Sequence, residues 1–256
     1  MTSADSNPLI LQIKGQVSSG DDTPAGIAEF RSANGNWRLK SGSFNLGKVY
    51  LKDEYTVRDF QVLNGGDKTI TYAGNYVGPG YIKVDVQPKA LAPGEKGHIK
   101  ISYNGKMKGE YGFQSDNVEI ITDDALNPKK SFSVYATLED NFKDLSPDEI
   151  TNAAQLRIRE QEVDFGRIKS NEPSVKEIQF LNSGKSILDI RSVKGNCTCI
   201  RASASETSIN PGATGTLRIE FNPMDRKGTQ QKAVTVYSND PQNPVQRLIF
   251  TAYVED

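Results

Sequence analysis

The chain repeats itself, and that limits its folds more than any other feature. Residues 57–72 (VRDFQVLNGGDKTITY) match 175–190 (VKEIQFLNSGKSILDI), and 92–104 (APGEKGHIKISYN) match 210–222 (NPGATGTLRIEFN). Both matches fall at an offset of 118. Upstream, FNLGKV from Phe44 matches VDFGRI from Val163. Downstream, TDDALNP…SVYATLED ending at Asp140 matches SNDPQNP…IFTAYVED ending at Asp256. A near-constant offset with short indels means two copies of one domain. The 256 residues therefore divide into two modest domains, not one large one.

Both copies read as β structure. IKISY and LRIEF alternate apolar and polar residues, and Val234, Val236, Leu248, Phe250 and Ala252 keep the same period of two. The LN-x-G stretches at 63–66 and 181–184 look like turns closing hairpins, and Pro93-Gly94 and Pro211-Gly212 mark another turn. One helix is predicted, in DLSPDEITNAAQ, where Ser146, Pro147 and Glu149 form a capping box with proline at the first helical position. The expected fold is all-β: two tandem immunoglobulin-like β-sandwiches joined by a short helical linker. The first domain spans 36–140, the linker 141–158 and the second domain 159–256. Val62 and Phe180, Ile101 and Ile219, and Tyr103 and Phe221 should then occupy matching core positions. SADSNPLILQIKGQV near the N-terminus resembles the end of each copy. Residues 1–17 are thus expected to be the final strand of a missing preceding domain, with 18–35 a linker. Leu9, Leu11, Ile13 and Val17 should pack on the first complete domain or on a neighbouring chain.

Lysine plus arginine total 31 and aspartate plus glutamate 32, a net charge of −1. That balance gives no footprint for nucleic acid. Apolar runs fall far short of a membrane span, so no direct membrane insertion by this segment is expected. MTSADSNPLI has neither the charged start nor the apolar run of a signal peptide.

Candidate chemistry is sparse. Gly184-Lys185-Ser186 would end a P-loop, but Gln179 stands where that motif needs glycine. His98 is the only histidine, so no Ser-His-Asp triad or H-E-x-x-H zinc site can be assembled. The segments SADSNP, TDDALNP and SNDPQNP cluster oxygen ligands that calcium could use, but they read better as Asx-type turns before a strand. Asn196-Cys197-Thr198 is formally a glycosylation sequon. Cys197 and Cys199 are the only cysteines, and at the offset of 118 they correspond to Pro79 and Tyr81. The scaffold therefore does not require them. On a regular strand their Cα atoms would lie roughly 6.5 Å apart with parallel side chains, which disfavours a disulfide unless Gly195-Asn196 bends the chain. Two packed free thiols are the expected state. A disulfide, linear Cu(I) ligation or redox chemistry at Cys197 and Cys199 remain alternatives.

The second copy also carries a resemblance. VDFGRI, FLNSGKSILDIRSVKGNCTC, INPGATGTLRIEFNP and VYSNDPQNPVQRLIFTAYV resemble domain-of-unknown-function family 1573 over nearly all of 163–254. The family's pattern runs D-F-G-x-I, N-x-G, S-C-G-C-T, P-G and T-N-D-P; here Asn-Cys-Thr-Cys-Ile stands in place of Ser-Cys-Gly-Cys-Thr. The first copy is similar to the middle domain of three-domain members. The resemblance implies an immunoglobulin-like envelope component of Gram-negative bacteria, exported, with no catalytic activity and no cofactor. The expected role is a structural or protein-binding module whose partner is another envelope protein. A redox or copper-handling protein is the alternative, and a glycan-binding module using Trp37 or the tyrosines a further one.

Overall fold

The period-two runs fold as strands, and the glycine- and proline-rich segments turn the chain between them. The computed structural model of the chain describes residues 28–52, 54–224 and 226–255. The N-terminal stretch with Leu9, Leu11, Ile13 and Val17 lies outside the described residues. The first copy opens with β1 (Ser32–Asn34), β2 (Trp37–Leu39), β3 (Ser43–Tyr50), β4 (Thr56–Asn64), β5 (Ile70–Thr71) and β6 (Tyr76–Val77). It continues with β7 (Ile82–Gln87), β8 (Ala90–Leu91), β9 (Lys96–Tyr103), the single-turn helix α1 (Gly105–Lys108), β10 (Gly112–Ile121) and β11 (Lys129–Glu139). Helix α2 (Pro147–Asn152) leads to β12 (Leu156–Ile158), β13 (Glu162–Lys169), β14 (Ser174–Asn182) and β15 (Leu188–Gly195). The chain ends with β16 (Ile200–Ala204), β17 (Ser208–Ile209), β18 (Thr214–Phe221), β19 (Gly228–Ser238) and β20 (Val245–Glu255).

Each copy is a two-sheet sandwich. The first pairs β1-β2-β4-β9-β7 with β3-β11-β10-β6, and the second pairs β12-β14-β18-β16 with β13-β20-β19-β15-β17. Their registers coincide. Val62 faces Gly97 and Phe60 faces Ile99 across β4 and β9, while Phe180 faces Gly215 and Ile178 faces Leu217 across β14 and β18. A one-residue slip would turn every core side chain outward, so a shared register means a shared core. Val62 and Phe180, Ile101 and Ile219, and Tyr103 and Phe221 are all buried, as the repeat requires. Val62 and Phe180 both face a glycine: the Phe180 ring fills the space over Gly215, whereas over Gly97, opposite Val62, that space is taken by Leu91 and the Gln87 carbonyl.

The repeated motifs are joints. β3 runs parallel to β11, and β13 to β20, each with a register shift midway. Gly47 and Gly166 sit at these shifts with φ of 69° and 71°. Their N–H groups donate to Asn45 Oδ1 (2.9 Å) and Asp164 Oδ1 (2.8 Å). A short polar side chain and a left-handed glycine thus build each bulge.

The LN-x-G stretches do not close hairpins: β14 and β15 belong to different sheets, and the chain crosses between them. A crossing strand loses its ladder partners, and a buried asparagine replaces them. Asn182 is fully buried and donates to Ser186 O (2.8 Å) and Ile209 O (2.9 Å) while accepting from the Gly184 N–H (3.0 Å). Asn64 does the same with Lys68 O, Leu91 O and the Gly66 N–H.

Helix α2 forms where its capping box predicts, with Ser146 Oγ accepting from the Glu149 N–H and Glu149 Oε2 accepting from the Ser146 N–H. It is fastened to the second sandwich, because Ser186 Oγ donates to Asn152 O (2.6 Å) and the Lys185 N–H to Ala153 O (3.0 Å). A Cβ at Gly184 would collide with this segment. Residues 32–34 and 156–158, read above as linker, are strands: β1 pairs with β2, and β12 with β14. Three residues are too few to show a period, so only their pairing reveals them.

The acidic Asn-Pro segments at 122–128 and 238–244 are the turns they resembled, and SADSNP lies outside the described residues. Asp240 Oδ1 accepts from the Gln242 and Asn243 N–H groups, and Oδ2 accepts from the Leu156 N–H (3.0 Å). Asp124 accepts from the Leu126 N–H, the Asn36 N–H and side-chain amide, and Lys130 Nζ (2.5 Å). Lys130 is fully buried, 5.3 Å over the Trp37 ring. Burial opposes the Asp124 charge, but the Lys130 ammonium and the backbone N–H groups outweigh it and hold the carboxyl at about 2. A depressed carboxylate pKa adds stability above its unfolded value and loses it as pH falls through the folded one. Urea unfolding should therefore show the first sandwich losing on the order of 2 kcal/mol between about pH 4 and pH 2. In a D124N/K130M double variant that component of the pH slope should vanish.

Candidate functional site

Both cysteines lie on the turn that carries the chain from β15 to β16. β15 ends where Gly195 pairs with Val234. Asn196 then ties off the strand: its N–H donates to Ala233 O (3.0 Å), and its Oδ1 accepts from the Ala233 N–H (3.2 Å). The Ile200 N–H donates to Cys197 O (3.2 Å) and the Asn222 N–H to Cys199 O (2.9 Å). This folds Cys197-Thr198-Cys199 so that the cysteine Cα atoms lie 5.2 Å apart, and the two sulfurs form a disulfide. The expectation of two free thiols is thereby corrected. It assumed the Cα spacing of a regular strand, whereas the chain is turning between sheets here. Cys199 is buried, 1% exposed, in the second core, and Cys197 is half-buried at its edge. In the disulfide neither sulfur is a thiolate, so Cu(I) ligation would first require reduction.

The first copy makes the same turn without sulfur. The Ile82 N–H donates to Pro79 O and the Asn104 N–H to Tyr81 O, both at 2.9 Å, the equivalents of the Ile200 and Asn222 bonds. Tyr81 is held instead by a polar network. Its hydroxyl donates to Asp116 Oδ1 (2.7 Å), the Tyr103 hydroxyl donates to Oδ2 (2.8 Å), and Lys108 Nζ donates to the Tyr81 oxygen (3.1 Å). Burial pushes the Tyr103 hydroxyl far up, and the Asp116 carboxylate adds to the effect.

The other sequence candidates resolve into scaffold or surface. Gly184-Lys185-Ser186 belongs to the Asn182 crossover. His98 is exposed on β9, on the wall of an open groove of about 470 Å³ shared with Lys40, Asp59 and Phe60. Trp37 is fully buried and cannot present a face to a glycan. Among the described residues no group of three His, Cys, Asp or Glu side chains is placed to hold a metal ion. No helix among them is long and apolar enough to cross a membrane.

A junction between the sandwiches was not legible in the sequence. Tyr111 packs on Tyr237, ring centroids 5.6 Å apart, and its hydroxyl donates to Asp140 Oδ1 (3.0 Å). Arg191 approaches Asp140 (3.6 Å), and Lys194 approaches Glu110 (3.8 Å). Gly112 has φ of 82°, and a Cβ there would meet the Tyr237 hydroxyl at 2.7 Å. Burial, with Asp140 alongside, pushes the Tyr111 hydroxyl up to about 12.

Register, crossovers and turns define a tandem protein of immunoglobulin-type β-sandwiches. Residues 37–137 and 156–254 match the family model DUF1573, described as a protein of unknown function, and the chain belongs to that family. The crystal structure of a protein of unknown function from Porphyromonas gingivalis W83 is similar, with 21% identity and a TM-score of 0.57. That likeness covers 86% of this chain and all of the other, and it shows a shared fold. Looser likenesses include the ASH/PapD-like domain 7 of human CEP192, at 13% identity and a TM-score of 0.34, covering 46% of this chain and 95% of that one. The YadV chaperone matches at 10% identity and a TM-score of 0.30, covering 84% and 99%. A search of curated proteins finds no match.

The cystine turn should matter little for folding. A crosslink across so short a loop constrains the unfolded chain by only about 1.5 kcal/mol, and the hydrogen bonds of the turn do not involve sulfur. Denaturant melts of the C197A/C199A variant should show the second sandwich destabilised by no more than about 3 kcal/mol, the crosslink plus some lost packing.

Proposed function

We propose that this chain is a non-catalytic module of the bacterial cell envelope that binds or scaffolds another envelope protein. The observation that carries this reading is the junction of Tyr111, Gly112, Asp140, Arg191 and Tyr237, which joins two sandwiches into one composite surface. A docked pair of sandwiches presents several sheet edges in a set relation, and an edge strand recruits an extended segment of a partner through its unpaired backbone groups. The edges offered include β7 and β16, whose outer sides carry no ladder among the described residues. The bulges at Gly47 and Gly166 twist β3 and β13, which blunts those edges against unspecific pairing. The envelope location draws support from the disulfide, since such bonds persist in oxidising compartments.

Two measurements test the proposal. Tagged protein in its native host should fractionate with the envelope. Photocrosslinkers placed on β7 or β16 should trap one discrete partner, while the same groups on exposed turns should not. Recovery in the cytoplasm, or an adduct pattern independent of position, would exclude it. G112A should splay the junction, raising the radius of gyration in solution scattering and weakening the crosslink, with both sandwiches still folded.

A further inference from the structure

We propose that the Cys197–Cys199 disulfide is a thiol–disulfide exchange site, opened at Cys197 by an incoming thiolate and reclosed by Cys199. The first copy makes the same turn, with the Ile82 and Asn104 bonds matching those of Ile200 and Asn222 and a Tyr81–Asp116–Tyr103 network in place of the cysteines, so the turn does not need a covalent crosslink. A ring across three residues also removes little freedom from the unfolded chain. What the bond contributes is therefore chemical reactivity, and the surroundings of the two sulfurs make it directional.

Cys197 is half-buried at the rim of the core, whereas Cys199 is 1% exposed within it. An external thiolate R–S⁻ therefore attacks the Cys197 sulfur. The new R–S–Cys197 bond forms as the Cys197–Cys199 bond breaks, and the electron pair of that bond leaves on the Cys199 sulfur. The incoming sulfur is oxidised and Cys199 is reduced, with no other reactant. The Cys199 sulfur is enclosed by the apolar side chains of the second core. It therefore either takes a proton or returns to Cys197, expelling R–S⁻ and restoring the disulfide. A second thiolate attacking the R sulfur instead releases R–S–S–R′ and leaves the dithiol. Throughout, the Asn196–Ala233 bonds on one flank and the Asn222–Cys199 bond on the other keep the sulfurs within reach. The substrate class is a thiol, either a small molecule or a cysteine of another protein.

The test uses the full chain under native conditions, with glutathione in one arm and reduced thioredoxin in the other. Thiols are read by differential alkylation and mass spectrometry. The wild-type disulfide should open in at least one arm with the near-ultraviolet circular dichroism retained. Opening by glutathione identifies a small-thiol site, and opening by thioredoxin alone a protein-thiol site. With oxidised glutathione, C199S should form the mixed disulfide at Cys197 at least tenfold faster than C197S forms it at Cys199. Equal rates in the two variants, or a wild-type bond that opens only in denaturant, would overturn the proposal. The wild-type measurement stands even if a variant folds poorly.

Discussion

Each sandwich depends on carrying its chain from one sheet to the other without leaving backbone polar groups unpaired in the core. A strand satisfies its N–H and C=O groups through its neighbours, and a crossing segment leaves that ladder with only part of its groups paired to other backbone. Asn182 meets this need from a fully buried position, donating two bonds and accepting from the Gly184 and Gln155 N–H groups, and Asn64 repeats the two donated bonds and the bond from glycine. Asp240 and Asp124 do the same for the approach to the last strand. Replacing one of these groups with an apolar residue would strand several backbone partners at once, a larger cost than any single hydrogen bond suggests. The motifs that stand out in the sequence are therefore joints of the scaffold.

This explains what could be read from the residues alone. Strands were legible because half-burial imposes a period of two, and the repeat was legible because both copies solve one packing problem at one register. Helix α2 was legible from Ser146, Pro147 and Glu149, because a cap is a local device. The hairpin reading of LN-x-G failed for a nonlocal reason. A buried asparagine at a crossing and an exposed one at a turn have the same sequence, and only the sheet that receives the next strand separates them. Lys130 was illegible for a similar reason. A lysine beside Lys129 reads as surface, yet its Nζ is enclosed by Asp124, Asn34 and Asn127. Tyr111, Asp140, Arg191 and Tyr237 come together across two domains, so no window of sequence contains their junction.

Where the copies differ, the scaffold's demands can be separated from anything additional. Val62 and Phe180 differ in size over a shared opposite glycine, with the Phe180 ring covering Gly215 and Leu91 and the Gln87 carbonyl covering Gly97, which is packing and nothing more. Lys130 and Gln246 occupy equivalent places opposite Ile120 and Val236, but Lys130 donates to Asn34 O on β1 and Gln246 to Leu156 O on β12, the counterpart of β2. Each difference ties the last strand to backbone at the start of its own sandwich.

The turn before β16 is a different kind of divergence. At its counterpart before β7, the Tyr81 and Tyr103 hydroxyls share Asp116, with Lys108 alongside, so that end of the first sandwich is closed by a charged and hydrogen-bonded cluster. In the second sandwich Phe221 replaces Tyr103 and cannot donate, so the polar cluster could not be satisfied there. A buried cysteine sulfur at 199 fills the Tyr81 position without needing a hydrogen-bond partner, as a small apolar group does. That accounts for Cys199 by packing alone, but it does not account for Cys197. The half-buried Cys197 adds little to the core, and its one strong interaction is the bond to Cys199. Packing therefore explains one cysteine, and the presence of the second at bonding distance is what makes this turn a place for chemistry.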